Sequence, residues 1–199
     1  EIKGKQMKFS PFLVAALAAG GAQGAPIYSA VTGHYYELTT EWGTWHEMRD
    51  LAAQRSLEVG GVERRGFLAC IESAEEQAAI VAMFGEMISV GDDVYGAWIG
   101  ASDENNNGEW QWVTGEYESS PRTFFKDGAS VGYSLWAPGE PNNFLWQNEH
   151  YVVWGWGAAG SWNDLFGTAN AAAVIEYIPA PSAMAMMWLA TGIAIRRRR

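Results

Sequence analysis

Five oxygen-bearing side chains gather in the second half of the chain: Glu140 and Asn142 on either side of Pro141, then Glu149, then the pair Asn163-Asp164. A hard dication such as calcium takes about six to eight oxygen ligands and favours carboxylates, amide carbonyls and water. Three of the five are anionic, so a doubly charged ion would meet a formal −3 shell and be held. Other chemistry reads less well. Gly128-Ala129-Ser130-Val131-Gly132 matches the nucleophile elbow of hydrolases, but that fold needs an acid and then a histidine downstream, and only His150 follows. His34, His46 and His150 lack zinc-ligand spacing. Asp103-Glu104-Asn105-Asn106-Asn107-Gly108 opens like a calcium-binding loop of the EF-hand type, yet the twelfth position is Thr114 instead of Glu, so an ordinary Asn/Gly turn is expected. Cys70 is the only cysteine; it lies in the apolar run Phe67 to Ile71 and reads as a small buried hydrophobe. Paired carboxylates abound, but a glycosidase needs two at a set separation across a cleft, which sequence does not show. Nothing in the chain demands an enzyme.

Stable elements must position these groups. Thr44 with Glu47 forms a capping-box signature ahead of Trp45, Met48, Leu51 and Ala52 at helical spacing; Ser73 with Glu76 repeats it ahead of Ala79, Ile80, Met83 and Phe84. Two helices of about 12 residues are expected, the first ending before Gly60-Gly61 and the second near Gly85. Beyond Val94 come short β-prone runs split by Gly, Asn and Pro: Tyr95 to Ile99, Glu109 to Val113, Tyr151 to Gly155 and Ala173 to Tyr177. Helices followed by strands predict an α+β domain with antiparallel sheet. Trp98, Trp110 and Trp112 are expected in the core, whereas Trp146, in a polar loop, suits stacking on a sugar face or packing over the loop.

With 199 residues, 48% of them apolar and 18% charged, the chain is long enough to bury its own core. The net charge of −10 conceals an uneven distribution, because Lys3, Lys5, Lys8 and Arg196 to Arg199 occupy the two ends. Between them 6 basic residues face 22 acidic ones, which argues against nucleic acid as a partner. Residues 1–6 read as extraneous. Residues 7–24, with Met7-Lys8, an apolar stretch and Ala22-Gln23-Gly24, read as a secretory signal peptide. At the far end, residues 179–199 run from Pro179-Ala180-Pro181 through the apolar Ala183 to Ile195 to four arginines, short for a membrane span of about 20 residues. This order resembles the PEP-CTERM sorting tail of Gram-negative bacteria, with Pro-Ala-Pro in place of Pro-Glu-Pro; the resemblance implies an exosortase-like processing enzyme as partner. The alternative is a plain tail anchor held by positive-inside arginines. Membrane contact is expected only through signal peptide and tail, and the middle lies outside the cytoplasm on either reading.

Trp98-Ile99-Gly100, Trp110-Gln111-Trp112, Trp136, Glu140-Pro141-Asn142, Glu149 and Trp162-Asn163-Asp164 resemble, in order and spacing, the C-type lectin-like domain, over residues 33–178. The resemblance implies two helices packed on antiparallel sheets with a long loop region that binds calcium and sugar. It implies one Ca2+ ion held by Glu140, Asn142, Glu149, Asn163 and Asp164, with two coordination positions left for vicinal sugar hydroxyls. Each hydroxyl can donate its proton to Glu140 or Glu149 and accept from the amide of Asn142 or Asn163. Glu-Pro-Asn implies sugars with equatorial 3- and 4-hydroxyls, as in mannose, glucose and N-acetylglucosamine, and a cis bond before Pro141, which X-Pro adopts at small cost.

The sequence departs from the family in three places. Its disulfide cysteines are missing, with Tyr151 and Ile175 at two of their positions; Phe144 to Asn148 makes the loop one residue longer; and Thr114 to Leu135 is extended. The positions of a second, structural calcium carry Asp103, Asn107, Asn143 and His150, only the first acidic, so that site is expected to be absent or weak. The expectation is an exported lectin of the bacterial cell surface, envelope or matrix, binding a neutral glycan or extracellular polysaccharide. Its rivals are a calcium-independent protein-interaction module on the same fold and, more remotely, a glycan-processing enzyme.

Overall fold

The computed structural model describes residues 24–85, 96–105, 107–144 and 148–179. Residues 1–6, the expected signal peptide but for Gly24, Trp146, and the expected tail but for Pro179 lie outside them. In chain order the elements are β1 (Ile27–Tyr28), β2 (Tyr35–Leu38), α1 (Trp45–Gln54), β3 (Ser56–Val59), β4 (Val62–Arg65), β5 (Phe67–Leu68), α2 (Ala74–Phe84), β6 (Ala97–Ser102), β7 (Trp110–Trp112), β8 (Arg122–Lys126), β9 (Ala129–Ser130), β10 (Tyr151–Trp154), β11 (Trp162–Leu165) and β12 (Ala172–Tyr177). No helix among the described residues is long and apolar enough to cross a membrane.

The helices start where their caps dictate. Thr44 Oγ1 accepts from Glu47 N and the Glu47 carboxylate accepts from Thr44 N, a complete capping box, and α1 then buries Trp45, Met48 and Ala52. It runs 10 residues and ends before Gly60-Gly61, as expected. Arg55 is extended and those two glycines, at φ 62° and 79°, close a β3–β4 hairpin for which no strands were expected. α2 begins at the Ser73 cap and ends at Gly85, as expected. Its capping box is only half made, because the Glu76 carboxylate turns inward to the Tyr36 hydroxyl (2.6 Å) and Glu72 N (2.9 Å).

The main sheet runs β1-β2-β12-β6-β7-β8-β9, with β10 joining β6 to β11 and β5 on β12. Two expectations are corrected here: β1 and β2 precede the helices, and β6 pairs with β12 in parallel, as does the isolated Trp136–Trp162 bridge, whereas the other strand pairs described are antiparallel. The parallel pair lies at the centre of the sheet, where both strands are buried on both faces. Alternation divides the core in two. Trp98, Tyr151, Val153, Ala173 and Ile175 face α1 and its Trp45 and Met48. Ile99, Val152, Trp154 and Val174 face the other way, toward Ile80 of α2 and the aromatic group of Trp110, Trp112, Phe124 and Trp162. Cys70 is buried, as expected.

One polar knot ties these layers together. His34 Nδ1 lies 2.6 Å from Glu176 Oε1, Glu176 Oε2 accepts from Cys70 N at 3.1 Å, and Glu76 sits beside them. Burial first, then the charge of Glu176, pushes Glu76 up to about 7, and the hydrogen bond to Glu176 raises His34. Both groups bind protons more tightly folded than unfolded: the Glu76 contribution is fully present below the ordinary carboxylate range and is lost as pH rises through about 7, and that of His34 is fully present below the ordinary imidazole range and is lost as pH rises above it. Glu76 alone is therefore expected to lower the free energy of urea unfolding between pH 5 and 8 by on the order of 2 kcal/mol, a share of the slope that Glu76→Gln should remove. An unchanged slope in that variant would place the pH dependence elsewhere.

Candidate functional site

The predicted acidic cluster forms at one end of the β10–β11 hairpin. Because Val152 pairs with Asp164 and Val153 with Asn163, the start of β10 and the end of β11 lie together there. The loop before β10 is held against β11: Ala137 N donates to Trp162 O, Trp162 N to Leu135 O, and Glu140 N to Ala137 O. The Glu140-Pro141 bond is cis, as expected.

Asp164, 1% exposed, organises the loop. Its two carboxylate oxygens accept from Asn142 N at 3.0 Å and Asn143 N at 2.8 Å. Glu149, also buried, accepts from Phe144 N at 2.5 Å, while its own N donates to Asn143 Oδ1 at 3.1 Å. Asn143 and Asn148 take left-handed conformations, φ 45° and 58°, which asparagine tolerates better than most residues. The extra residue in the loop thus does not carry the Glu149 carboxylate away. Sequence reasoning overlooked Asn143 as the brace between the two halves of the loop; the Pro-Asn-Asn run was the available signal. Asn142 is exposed, and the placement of Trp146 lies outside the described residues.

The electrostatics are those of a cluster short of positive charge. Burial pushes the Glu140 carboxyl up to about 7, reinforced by the charges of Asp164 and Glu149. Burial also raises Glu149, partly offset by its bond from Phe144 N. Glu140 Oε2 and Asn163 Oδ1 are buried with no hydrogen-bond partner, although buried oxygens are as a rule satisfied. The His34, Glu76 and Glu176 group brings its ligand atoms within 4.8 Å of one another, but its carboxylates already accept from Tyr36, Glu72 and Cys70. The unmet oxygens favour the Glu140 cluster as the cation site. Its donor set, all oxygen, fits calcium.

The remaining motifs resolve simply. Asp103 spends one oxygen on His150 Nδ1 (2.7 Å) and the other on Gly108 N (2.7 Å), closing the expected turn. Ser130 lies in the β8–β9 hairpin with its hydroxyl 2.6 Å from that of Ser134. Thr114 to Leu135 supplies β8 and β9, and its Phe124 enters the core.

The chain is thus a two-helix α+β domain whose loop gathers carboxylates and amides beside a Trp-Asn-Asp strand. The chain belongs to the C-type lectin domain family, whose model matches residues 61–174. It is 32% identical over 138 residues to halomucin of Haloquadratum walsbyi, a match covering 66% of this chain and 1% of that protein. It is also 32% identical to the C-type lectin lectoxin-Lio1 of Erythrolamprus poecilogyrus, covering 72% of this chain and 76% of that one. Among solved structures, the C-type lectin CEL-I from Cucumaria echinata matches with a TM-score of 0.55 at 26% identity, covering 76% of this chain and 94% of that chain.

Proposed function

We propose that this chain is an exported, calcium-dependent carbohydrate-binding protein that recognises neutral sugars with equatorial 3- and 4-hydroxyls, of the mannose, glucose or N-acetylglucosamine type. The observation that carries this reading is the pair of buried, unpartnered oxygens, Glu140 Oε2 and Asn163 Oδ1, within a loop already fixed by Asp164 and Glu149. Glu140, Asn142, Glu149, Asn163 and Asp164 would hold the ion. Calcium, when bound, supplies a Lewis-acidic centre for two vicinal hydroxyls. The Glu140 and Glu149 carboxylates then take the hydroxyl protons in hydrogen bonds, and the Asn142 and Asn163 amides donate to the hydroxyl oxygens. Binding should need little rearrangement, because the backbone bonds to Asp164 and Glu149 brace the loop beforehand. The names of the relatives, lectins among them, support the ligand class. The signal peptide and tail read from the sequence support export to the envelope or matrix of a Gram-negative-type bacterium, with an exosortase-like enzyme acting on the tail and an extracellular polysaccharide as target.

Retention on mannose resin tests the reading. The protein is expected to bind in calcium, elute with chelator, and rebind on recalcification. Retention indifferent to chelator would overturn it in favour of a calcium-independent interaction module.

A further inference from the structure

Both backbone polar groups of Trp162 hold the segment that leads to Glu140. Trp162 N donates to Leu135 O at 2.7 Å and Trp162 O accepts from Ala137 N at 2.8 Å, the two bonds of its parallel bridge to Trp136. Ala137 O in turn accepts from Glu140 N at 3.0 Å. In the other direction Trp162 is followed directly by Asn163 and Asp164, and the Asp164 carboxylate holds Asn142 N and Asn143 N. Glu140, Asn142, Asn163 and Asp164 are therefore all placed by a short chain of bonds that starts at Trp162.

What places Trp162 lies in another layer. Its indole is fully buried and packs edge-on against Trp112, Phe124, Tyr133 and Trp136. Apolar contacts are non-directional, so they set how deep the ring sits better than how it is turned. The direction comes from α2, where Gln77 Oε1 accepts from Trp162 Nε1 at 3.1 Å across 85 residues of sequence. Gln77 is itself 3% exposed, and its amide is fully used. Nε2 donates to Ala159 O at 2.8 Å and to Gly160 O at 3.0 Å, in the turn that leads into β11, so only the amide oxygen can face the indole. Gly160, at φ 70°, makes room for this: a Cβ there would come within 2.7 Å of Gln77 Nε2. The neighbouring Trp136 and Trp154 bury their N–H groups without a hydrogen-bond partner. Of these three indoles, the one whose backbone carries the loop is the one that is bonded.

We infer that Gln77 is a positioning residue for the calcium site. It touches neither ion nor sugar. By fixing the Trp162 indole it holds β11 and residues 135–140 in the register at which Glu140 and Asp164 converge. Without its oxygen the indole N–H would be buried unsatisfied, which is costly. The ring could turn away only by disturbing the backbone that bonds Leu135 and Ala137. This role presupposes the calcium–sugar reading.

The test is calcium titration by calorimetry of the full chain as parent, Gln77→Met, Trp162→Phe, the double variant, and Ile80→Val, a control at a buried position of the same helix. Methionine matches the reach of glutamine but lacks its donor and strong acceptor. Gln77→Met and Trp162→Phe are each expected to weaken calcium binding about tenfold, the double variant no more than either, and Ile80→Val less than about twofold. Coupling between sites is reciprocal, which gives a second readout in the parent alone. Calcium should slow exchange of the Trp162 indole N–H about tenfold more than that of the Trp98 indole N–H, which donates to Gly43 O away from the loop. Affinity within about twofold of the parent in Gln77→Met, or losses that add in the double variant, would refute the role while the calcium site stands. Equal slowing at the two indoles would refute it even where a variant failed to fold. Failure of the parent to bind calcium would instead refute the calcium–sugar reading, and the role with it.

Discussion

Asp164→Asn is expected to weaken calcium binding by about 100-fold or more and to abolish retention on mannose, since it removes one of three anionic ligands from a shell of hard oxygens. The same substitution should destabilise the calcium-free protein. Asp164 is nearly inaccessible and accepts from two backbone N–H groups, and an asparagine would turn its NH2 toward one of them. Hydrogen bonds to a buried charge contribute about 1.5–3 kcal/mol, so a loss of this order in urea unfolding is expected. Glu140→Gln should separate the two roles. In the calcium-free protein Glu140 is burdened by burial and by the charges of Asp164 and Glu149, so the neutral isostere should raise the unfolding midpoint at pH 8 while still weakening calcium binding. Calcium titration and urea unfolding of both variants give four readouts. Parental calcium affinity in both would sink the site, and equal destabilisation in both would sink the division of labour between them.

That contrast shows why the site was partly legible. Glu-Pro-Asn and Asn-Asp bring oxygen donors together within a few residues, and chemistry of that kind is local. Trp110 and Trp112 were equally plain, because alternation with Gln111 marks a buried strand face irrespective of its partner, and Trp98 is buried in the core as well. Thr44 and Ser73 announced their helices through bonds that close within three residues.

What escaped depended on pairing across the chain. Ser56 to Val59 and Val62 to Arg65 carry mixed propensities, and only the two positive-φ glycines between them distinguish a hairpin from the tail of α1. Tyr35 to Leu38 becomes a strand by lying on β12, and β6 runs parallel to β12 because the chain reverses elsewhere. Glu76 looks like a capping residue until Tyr36 claims its carboxylate. His46 is exposed on α1, and its contact with the Tyr151 hydroxyl at 2.9 Å reaches across 105 residues of sequence. Neither contact has a local signature, so neither is visible before the sheet is assembled.

The same assembly fixes the other large effect, Gly100→Ala, expected to cost about 3 kcal/mol or more in unfolding free energy, at the upper end for overpacking. Gly100 is at ordinary, non-positive φ in the middle of β6, so the cost is steric and not conformational. A Cβ there would overlap Thr114 Oγ1, lie 2.6 Å from Leu68 O and 3.2 Å from Cys70 Sγ. Two of those atoms form a bond of their own, Thr114 Oγ1 donating to Leu68 O at 2.7 Å, and the backbone joins the same layers through Gly100 N to Ala69 O and Val113 N to Gly100 O. Relief of the clash must therefore break a buried hydrogen bond or part β6 from β5, and neither neighbour is the free end of a flexible chain. Gly128→Ala provides the comparison: at φ 73° with open space around it, only backbone strain is added, about 1 kcal/mol. Thermal and urea unfolding of the two variants should differ by at least about 2 kcal/mol. If Gly100→Ala were no worse than Gly128→Ala, the close approach of β6 to the Leu68–Cys70 segment would be wrong, and with it the reason the Trp98-Ile99-Gly100 run ends in glycine.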